Sequence, residues 1–366
     1  MKKTITPKLK LQPSHRKLII LMDGTWNDEN GQNNDGLVTN IVHLSRILIN
    51  DEENQLVQYH RGVGNDDDNG WFEKVWGGAS GDGVQQIINN AYIDLVEAWK
   101  PGDQLYLFGF SRGAAAARML CSKIYREGIP ESITVDFDEE NNVKKYSSEG
   151  KIKHINVSFL GVWDTVSAFG IVRNLGRLLF EKTGDLFTNN HISPNIERAV
   201  HLVAIDESRK IFTPSLMNHK EGVTHEVWFP GVHSDIGGSY KEDQIAGVTL
   251  DYMFKKINEW ITEKSHTPLL INEDILTQYV NPSPKEVCFH FFKDNFSTDL
   301  REIFVQIDGE KTEDLAPNIH AFAIKLSQNQ IKTKKMISDK NKTKQVEFIY
   351  QPSNLKDLNG NFTIIE

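Results

Sequence analysis

The stretch Leu105-Tyr106-Leu107-Phe108-Gly109-Phe110-Ser111-Arg112-Gly113-Ala114-Ala115 sets one serine between two glycines, after an apolar run and before an alanine-rich one. A serine lifted onto a sharp strand-to-helix turn takes up strained dihedrals, and its neighbours at minus two and plus two must be small. Gly109 and Gly113 meet that demand. The turn also puts the serine at a helix N-terminus, where free N–H groups and the helix dipole favour developing negative charge. Ser111 is therefore the expected nucleophile of a serine hydrolase, with the N–H of Arg112 as one oxyanion donor.

Such a nucleophile needs a base and an acid, which in an α/β-hydrolase follow it in the order Ser, Asp or Glu, His. Beyond residue 190 the histidines are His191, His201, His219, His225, His233, His266, His290 and His320. His233 comes just past the run Val227-Trp228-Phe229-Pro230-Gly231-Val232, and Asp164 directly follows Phe159-Leu160-Gly161-Val162-Trp163. Both thus fall where a strand meets its loop. Asp164 would hold the imidazole of His233, which would take the Ser111 proton and return it to the leaving group. Asp206 is the rival acid and Asp235 a weaker one; His201 and His225 lie inside apolar runs and read as packed residues. The turn Asp23-Gly24-Thr25-Trp26-Asn27 follows an early strand, so the N–H of Gly24 or Thr25 is the expected second oxyanion donor, with Asp23 bracing the loop.

The elements that must position these groups alternate. Lys17–Met22, Gln55–His60, Gln104–Phe110, His154–Trp163 and Thr224–Phe229 read as buried strands. Residues from Thr39 to Leu48, Gly83–Trp99, Ala114–Ile124 and Ile245–Trp260 read as helices, with Thr39 as an N-cap. Ile196–Ile205 reads as a helix or helix-like turn. Strands alternating with helices imply a mostly parallel sheet flanked by helices, with ligands at the carboxyl ends of the strands. The expected fold is an α/β-hydrolase domain over 15–366, preceded by a polar extension over 1–14. A lid over 165–195 and an irregular part from about 265 are expected additions.

The chain has 366 residues, 39% hydrophobic and 25% charged, with a net charge of −9. One elaborated catalytic domain suits that length. The acidic balance excludes a general nucleic-acid binder, which needs a basic surface. No run of about eighteen apolar residues exists to span a membrane, and the basic, polar N-terminus is no secretory signal. A soluble protein made in the cytoplasm is expected, with export free of a cleaved signal left open.

No metal or cofactor is expected. Cys121 and Cys288 lack ligand spacing, Asp66-Asp67-Asp68 lacks the later Glu of a calcium loop, and the glycine-rich residues 77–83 lack the Lys-Ser or Lys-Thr of a phosphate loop. Two segments bear on substrate. Apolar residues between Val166 and Phe187 suit either a lid facing acyl chains or ordinary packing. The lysines from Lys325 to Lys344 suit a solvated loop, with anionic lipid headgroups as the sharper alternative.

The blocks MDGTWN, GVG, LFGFSRGAAAARML, GVWDTV, IDESR with FTPSL, EVWFPGVHSDIGGSY and a terminal YQPSNL occur in one order. Together they resemble an α/β-hydrolase family that includes the catalytic domains of type VI secretion phospholipase effectors, over roughly residues 15–355. The resemblance implies a triad at Ser111, Asp164 and His233 and, for some members, hydrolysis of lipid esters, often of phospholipids; peripheral membrane contact is a separate expectation. The chain is expected to depart from secreted members, with their large membrane-anchoring inserts and fused secretion domain not seen in the sequence. That departure bears on the effector role and membrane substrate more than on hydrolase chemistry. A small-ester hydrolase without a membrane role and an inactive binding scaffold are the competing readings.

Overall fold

The computed structural model describes residues 1–7, 15–24, 36–62, 81–166, 191–209, 212–241, 244–292, 300–339 and 342–366. The strands are β1 (Lys2–Ile5), β2 (Lys17–Met22), β3 (Gln55–His60), β4 (Gln104–Phe110), β5 (Ser132–Phe137), β6 (Val143–Glu149), β7 (Phe159–Trp163), β8 (Ala199–Ala204) and β9 (Thr224–Phe229). They continue as β10 (Glu286–Phe292), β11 (Val305–Ile307), β12 (Glu310–Thr312), β13 (Asn318–His320), β14 (Lys332–Asp339), β15 (Lys342–Glu347) and β16 (Thr363–Ile365). The helices are α1 (Asn40–Ile47), α2 (Gly81–Ala98), α3 (Ser111–Glu127), α4 (His233–Gly237), α5 (Gln244–Glu263), α6 (Glu273–Tyr279), α7 (Ala321–Ser327) and α8 (Ser353–Asp357).

Eight strands form one sheet in the order β16-β13-β9-β8-β7-β4-β2-β3. Every neighbouring pair in it is parallel. Side chains alternate between the two faces, and both faces are covered, so the strands read as unbroken apolar runs. Leu18, Ile20, Met22, Leu105 and Leu107 pack against α2 and the alanine-rich face of α3. Ile19, Leu21, Tyr106, Phe108 and Trp163 face the other way, against α1, α5 and α7. From β2 the chain goes to β3 on one side and returns to β4 on the other. Order reverses there, and in such sheets ligands bind beyond the carboxyl ends of the strands at the reversal, here β2 and β4. This is the α/β-hydrolase architecture expected from the sequence.

Three segments differ from the sequence reading. Residues of the presumed helix-like turn at 196–205 form β8, fully buried in the middle of the sheet. A strand covered on both faces loses the polar alternation that marks strands, so its apolar run fits either element. Within the polar N-terminal segment, β1 adds antiparallel to β5, with only Ile5 buried. The lysine-rich segment becomes the antiparallel pair β14–β15, and β14 runs parallel to β10 in a small separate sheet. Thr39 caps α1 as expected, its hydroxyl accepting from Val42 N at 3.3 Å. Most of the lid segment lies outside the described residues.

Candidate active site

Ser111 opens α3 directly after β4, at φ +59°, in the left-handed region. A residue with a Cβ pays for that conformation in strain, and it persists only where packing enforces it. The enforcement is visible on both sides. A Cβ on Gly113 would stand 2.3 Å from the carbonyl oxygens of Met22 and Asp23, so α3 starts hard against the end of β2. A Cβ on Gly109 would stand 2.6 Å from Gly113 O. Arg112 N–H belongs to the first helical turn, where N–H groups have no intrahelical acceptor.

His233 is the first residue of α4, just past β9, and Asp164 follows β7. His233 Nε2 lies 2.8 Å from Ser111 Oγ, and His233 Nδ1 lies 2.6 Å from Asp164 Oδ2. All three side chains are buried. The rings of Phe110 and Phe212 flank the imidazole at centroid distances of 4.7 and 4.5 Å. Gly237 makes room for this packing, since a Cβ there would meet the Phe110 ring. Burial lowers the affinity of His233 for a proton, and its bond to Asp164 offsets only part of that. A neutral imidazole with Nδ1–H directed at a carboxylate has a free Nε2 lone pair for the serine proton.

Asp164 also sits at positive φ, +38°. Its loop is tied down by Thr165 N–H, which donates to His201 Nε2 at 3.0 Å, while His201 Nδ1 meets Glu226 at 2.7 Å. His201 thus ties down the loop of Asp164, and His225 is bonded to Tyr252 at 2.7 Å. Burial would raise the Asp164 carboxyl, but the Arg301 guanidinium and the His233 bond outweigh it and hold the carboxyl well below the usual range. The carboxylates of Asp206 and Asp235 have other partners. Asp206 Oδ2 accepts from Gly231 N at 2.6 Å and Tyr350 Oη at 3.0 Å, and Asp235 pairs with His290 Nδ1 at 2.7 Å.

Asp23 and Gly24, directly after β2, are committed to hydrogen bonds of their own. Asp23 Oδ1 accepts from Gly24 N at 2.7 Å and Thr39 Oγ1 at 2.8 Å, and Oδ2 accepts from Tyr59 Oη at 2.8 Å. Asp23 thereby braces the loop, and Gly24 N–H could serve an oxyanion only by leaving Asp23. Thr25 lies outside the described residues. Of three further residues around these side chains, Glu207 and Arg209 fall in the block IDESR and Arg301 falls in no motif. Arg301 pairs with Asp164, while Glu207 accepts from His233 N at 3.1 Å and pairs with Arg209 at 2.6 Å. No sequence signal points to Arg301, which stands 137 residues from Asp164. Among the described residues, no group of three or more His, Cys, Asp or Glu is placed to hold a metal ion.

Comparison with known proteins adds the family. The model of the Tle1-like phospholipase effector catalytic domain of the type VI secretion system matches residues 16–139 and 130–256. An uncharacterised protein of Saccharomyces cerevisiae is 26% identical over 233 residues, 54% of this chain and 32% of that one. The crystal structure of an uncharacterised protein from Pseudomonas aeruginosa superposes with a TM-score of 0.51 at 16% identity, covering 72% of this chain and 49% of that one. A Tle1 effector bound to the VgrG spike of the type VI secretion system aligns at 21% identity with a TM-score of 0.37, over 63% of this chain and 52% of that one. The chain therefore spans about a third of the curated relative and about half of these solved structures.

Proposed function

Because the chain belongs to the family of Tle1-like phospholipase effector catalytic domains, we propose that it hydrolyses acyl esters of phospholipids through an acyl-enzyme on Ser111. The observation that carries this reading is the unbroken relay from Ser111 Oγ through His233 (2.8 Å) to Asp164 (2.6 Å), built on a positive-φ serine. In the first half-reaction Ser111 Oγ attacks the ester carbonyl carbon as its proton passes to His233 Nε2. The tetrahedral oxyanion is met by the N–H of Arg112, with the N–H of Gly24 or Thr25 as second donor. Collapse expels the alcohol, which takes its proton from His233. Water then attacks the acyl-enzyme by the same route in reverse, releasing the fatty acid. Asp164 keeps the proton on Nδ1 and stabilises the imidazolium that forms at each step.

A phospholipid rather than a neutral ester is supported by Arg112. Its guanidinium has no hydrogen bond or ion pair with any described residue, and burial lowers its pKa to about 10. An unpaired, partly desolvated cation one residue from the nucleophile suits an anionic headgroup. No helix among the described residues is long and apolar enough to cross a membrane, so lipid would be met from the surface.

Purified protein should release fatty acid from phosphatidylglycerol vesicles and hydrolyse a short-chain nitrophenyl ester. Ser111→Ala should lower both rates by about 10³-fold or more. Ester turnover without vesicle turnover would limit the activity to small esters. Equal rates for wild type and Ser111→Ala would remove the serine-hydrolase reading altogether.

A further inference from the structure

The carboxylate of Asp164 is engaged on every side. Oδ2 accepts from His233 Nδ1 at 2.6 Å and from Arg301 Nη2 at 3.0 Å; Oδ1 accepts from Arg301 Nη1 at 2.6 Å and from Ala204 N at 2.9 Å. The guanidinium is itself anchored. Arg301 Nη1 also donates to Ala204 O at 3.1 Å, and Nη2 donates to Phe212 O. The backbone of Arg301 is held in turn, its carbonyl accepting from Asn354 Nδ2 at 2.8 Å, while the same amide reaches Ile205 O at 2.9 Å. The terminal segment of the chain thus clasps the loop beyond β8 and the residue that pairs with the acid.

Two consequences follow from a bidentate guanidinium at this place. Planar, two-point pairing leaves the carboxylate one orientation, with Oδ2 aimed at the imidazole. The cation also shares the charge that an imidazolium on His233 would otherwise have to itself, and it repels that imidazolium directly. On the reading of Ser111, His233 and Asp164 as a triad, we propose that Arg301 is a positioning residue. It locks the Asp164 carboxylate against His233 Nδ1 and offsets enough of its charge to keep the imidazole a free base in acidic solution.

The other charged groups around His233 are accounted for. Asp164 comes from the end of β7. Glu207, beyond β8, accepts from His233 N–H and is paired with Arg209. Asp235 on α4 is held by His290 of β10, and Asp206 is bonded to Gly231 N–H and Tyr350. Burial against Phe110 and Phe212 opposes protonation of His233 most strongly; Asp164 and Glu207 favour it, and Arg301 adds to the opposition.

The test has two arms on the full chain. In the first, imidazole nitrogen resonances of wild type follow the titration of His233, assigned against His233→Gln. It should titrate below the ordinary value of about 6.5. Titration at or above that value overturns the proposal, and this arm needs neither activity nor a further variant. In the second, kcat/KM for a short-chain ester is followed against pH. Arg301→Gln should move the acid limb upward by roughly one pH unit, about a tenfold change in proton affinity. Arg301→Lys, which keeps the charge but not the two-point pairing, should leave the limb in place and lower kcat. A uniform loss of kcat in Arg301→Gln with an unmoved limb would make Arg301 merely structural and overturn the proposal. Failure of the triad reading would show differently, as ester turnover unaffected by Ser111→Ala.

Discussion

Replacing Asp164 by asparagine removes a charge while keeping the shape of the side chain, and two effects follow from the contacts around it. The carboxylate accepts two bonds from Arg301, at 2.6 and 3.0 Å, in a fully buried position. Asparagine leaves that guanidinium buried without its counter-ion, and breaking a buried pair in this way costs about 3–5 kcal/mol. The carbonyls of Ala204 and Phe212 still hold Arg301, so a loss near the lower end, about 3 kcal/mol, is expected. Activity should fall further in proportion. Without the carboxylate, His233 loses its fixed tautomer and the stabilisation of its imidazolium, a drop in kcat of about 10⁴-fold. Adding Arg301→Gln to Asp164→Asn removes the stranded cation and should restore about 2 kcal/mol of the stability, with no recovery of kcat. Equilibrium unfolding in urea and initial rates on a short-chain ester measure the two quantities on the same preparations. A cost below about 1 kcal/mol for Asp164→Asn, or a double variant no more stable than the single one, would refute the electrostatic account of this cluster.

Gly113→Ala sets a Cβ 2.3 Å from two carbonyl oxygens of the β2 end, which are backbone and cannot swing aside. The elbow must shift, so a loss of about 3 kcal/mol or more in unfolding free energy and at least about a hundredfold in kcat is expected. Asp206 offers a pH test. Burial, helped by Asp235 and Glu207, raises its carboxyl to about 7 against the hydrogen bonds from Gly231 and Tyr350. The folded state then holds a proton that the unfolded state, at about 3.9, gives up; its stabilisation is complete below about pH 4 and lost as pH rises through 7. Asp206→Asn should flatten that decline, by an amount on the order of a few kcal/mol between pH 4 and 8. Parallel stability curves for the two proteins would contradict it.

What could be read from the sequence was what is local. Ser111, Gly109 and Gly113 announce themselves because one turn demands all three within five residues. Asp164 and His233 each end an apolar run, and a strand end in a parallel sheet points to the crevice wherever the strand lies. The structure brings these three side chains into one hydrogen-bonded line. β8 was not legible, because burial on both faces erases the period that tells a strand from a helix. Arg301 was not legible for another reason. It lies 137 residues from Asp164 in a segment without regular periodicity, and only the folded chain makes the two neighbours. Tyr350 and Asn354 lie in the terminal block YQPSNL, yet their partners, Asp206 Oδ2 and the carbonyls of Ile205 and Arg301, appear only in three dimensions.

The most direct test of the account is covalent trapping of Ser111. A fluorophosphonate reacts with a serine only when a base removes its proton and an oxyanion site receives the developing charge. Intact-mass and peptide mapping should show one adduct per chain on the peptide containing Ser111, formed in step with loss of ester hydrolysis. The adduct should be absent in Ser111→Ala and form far more slowly in His233→Ala. Hydrolysis that continues while Ser111 stays unlabelled, or an adduct on another residue that tracks the loss of activity, would contradict the account.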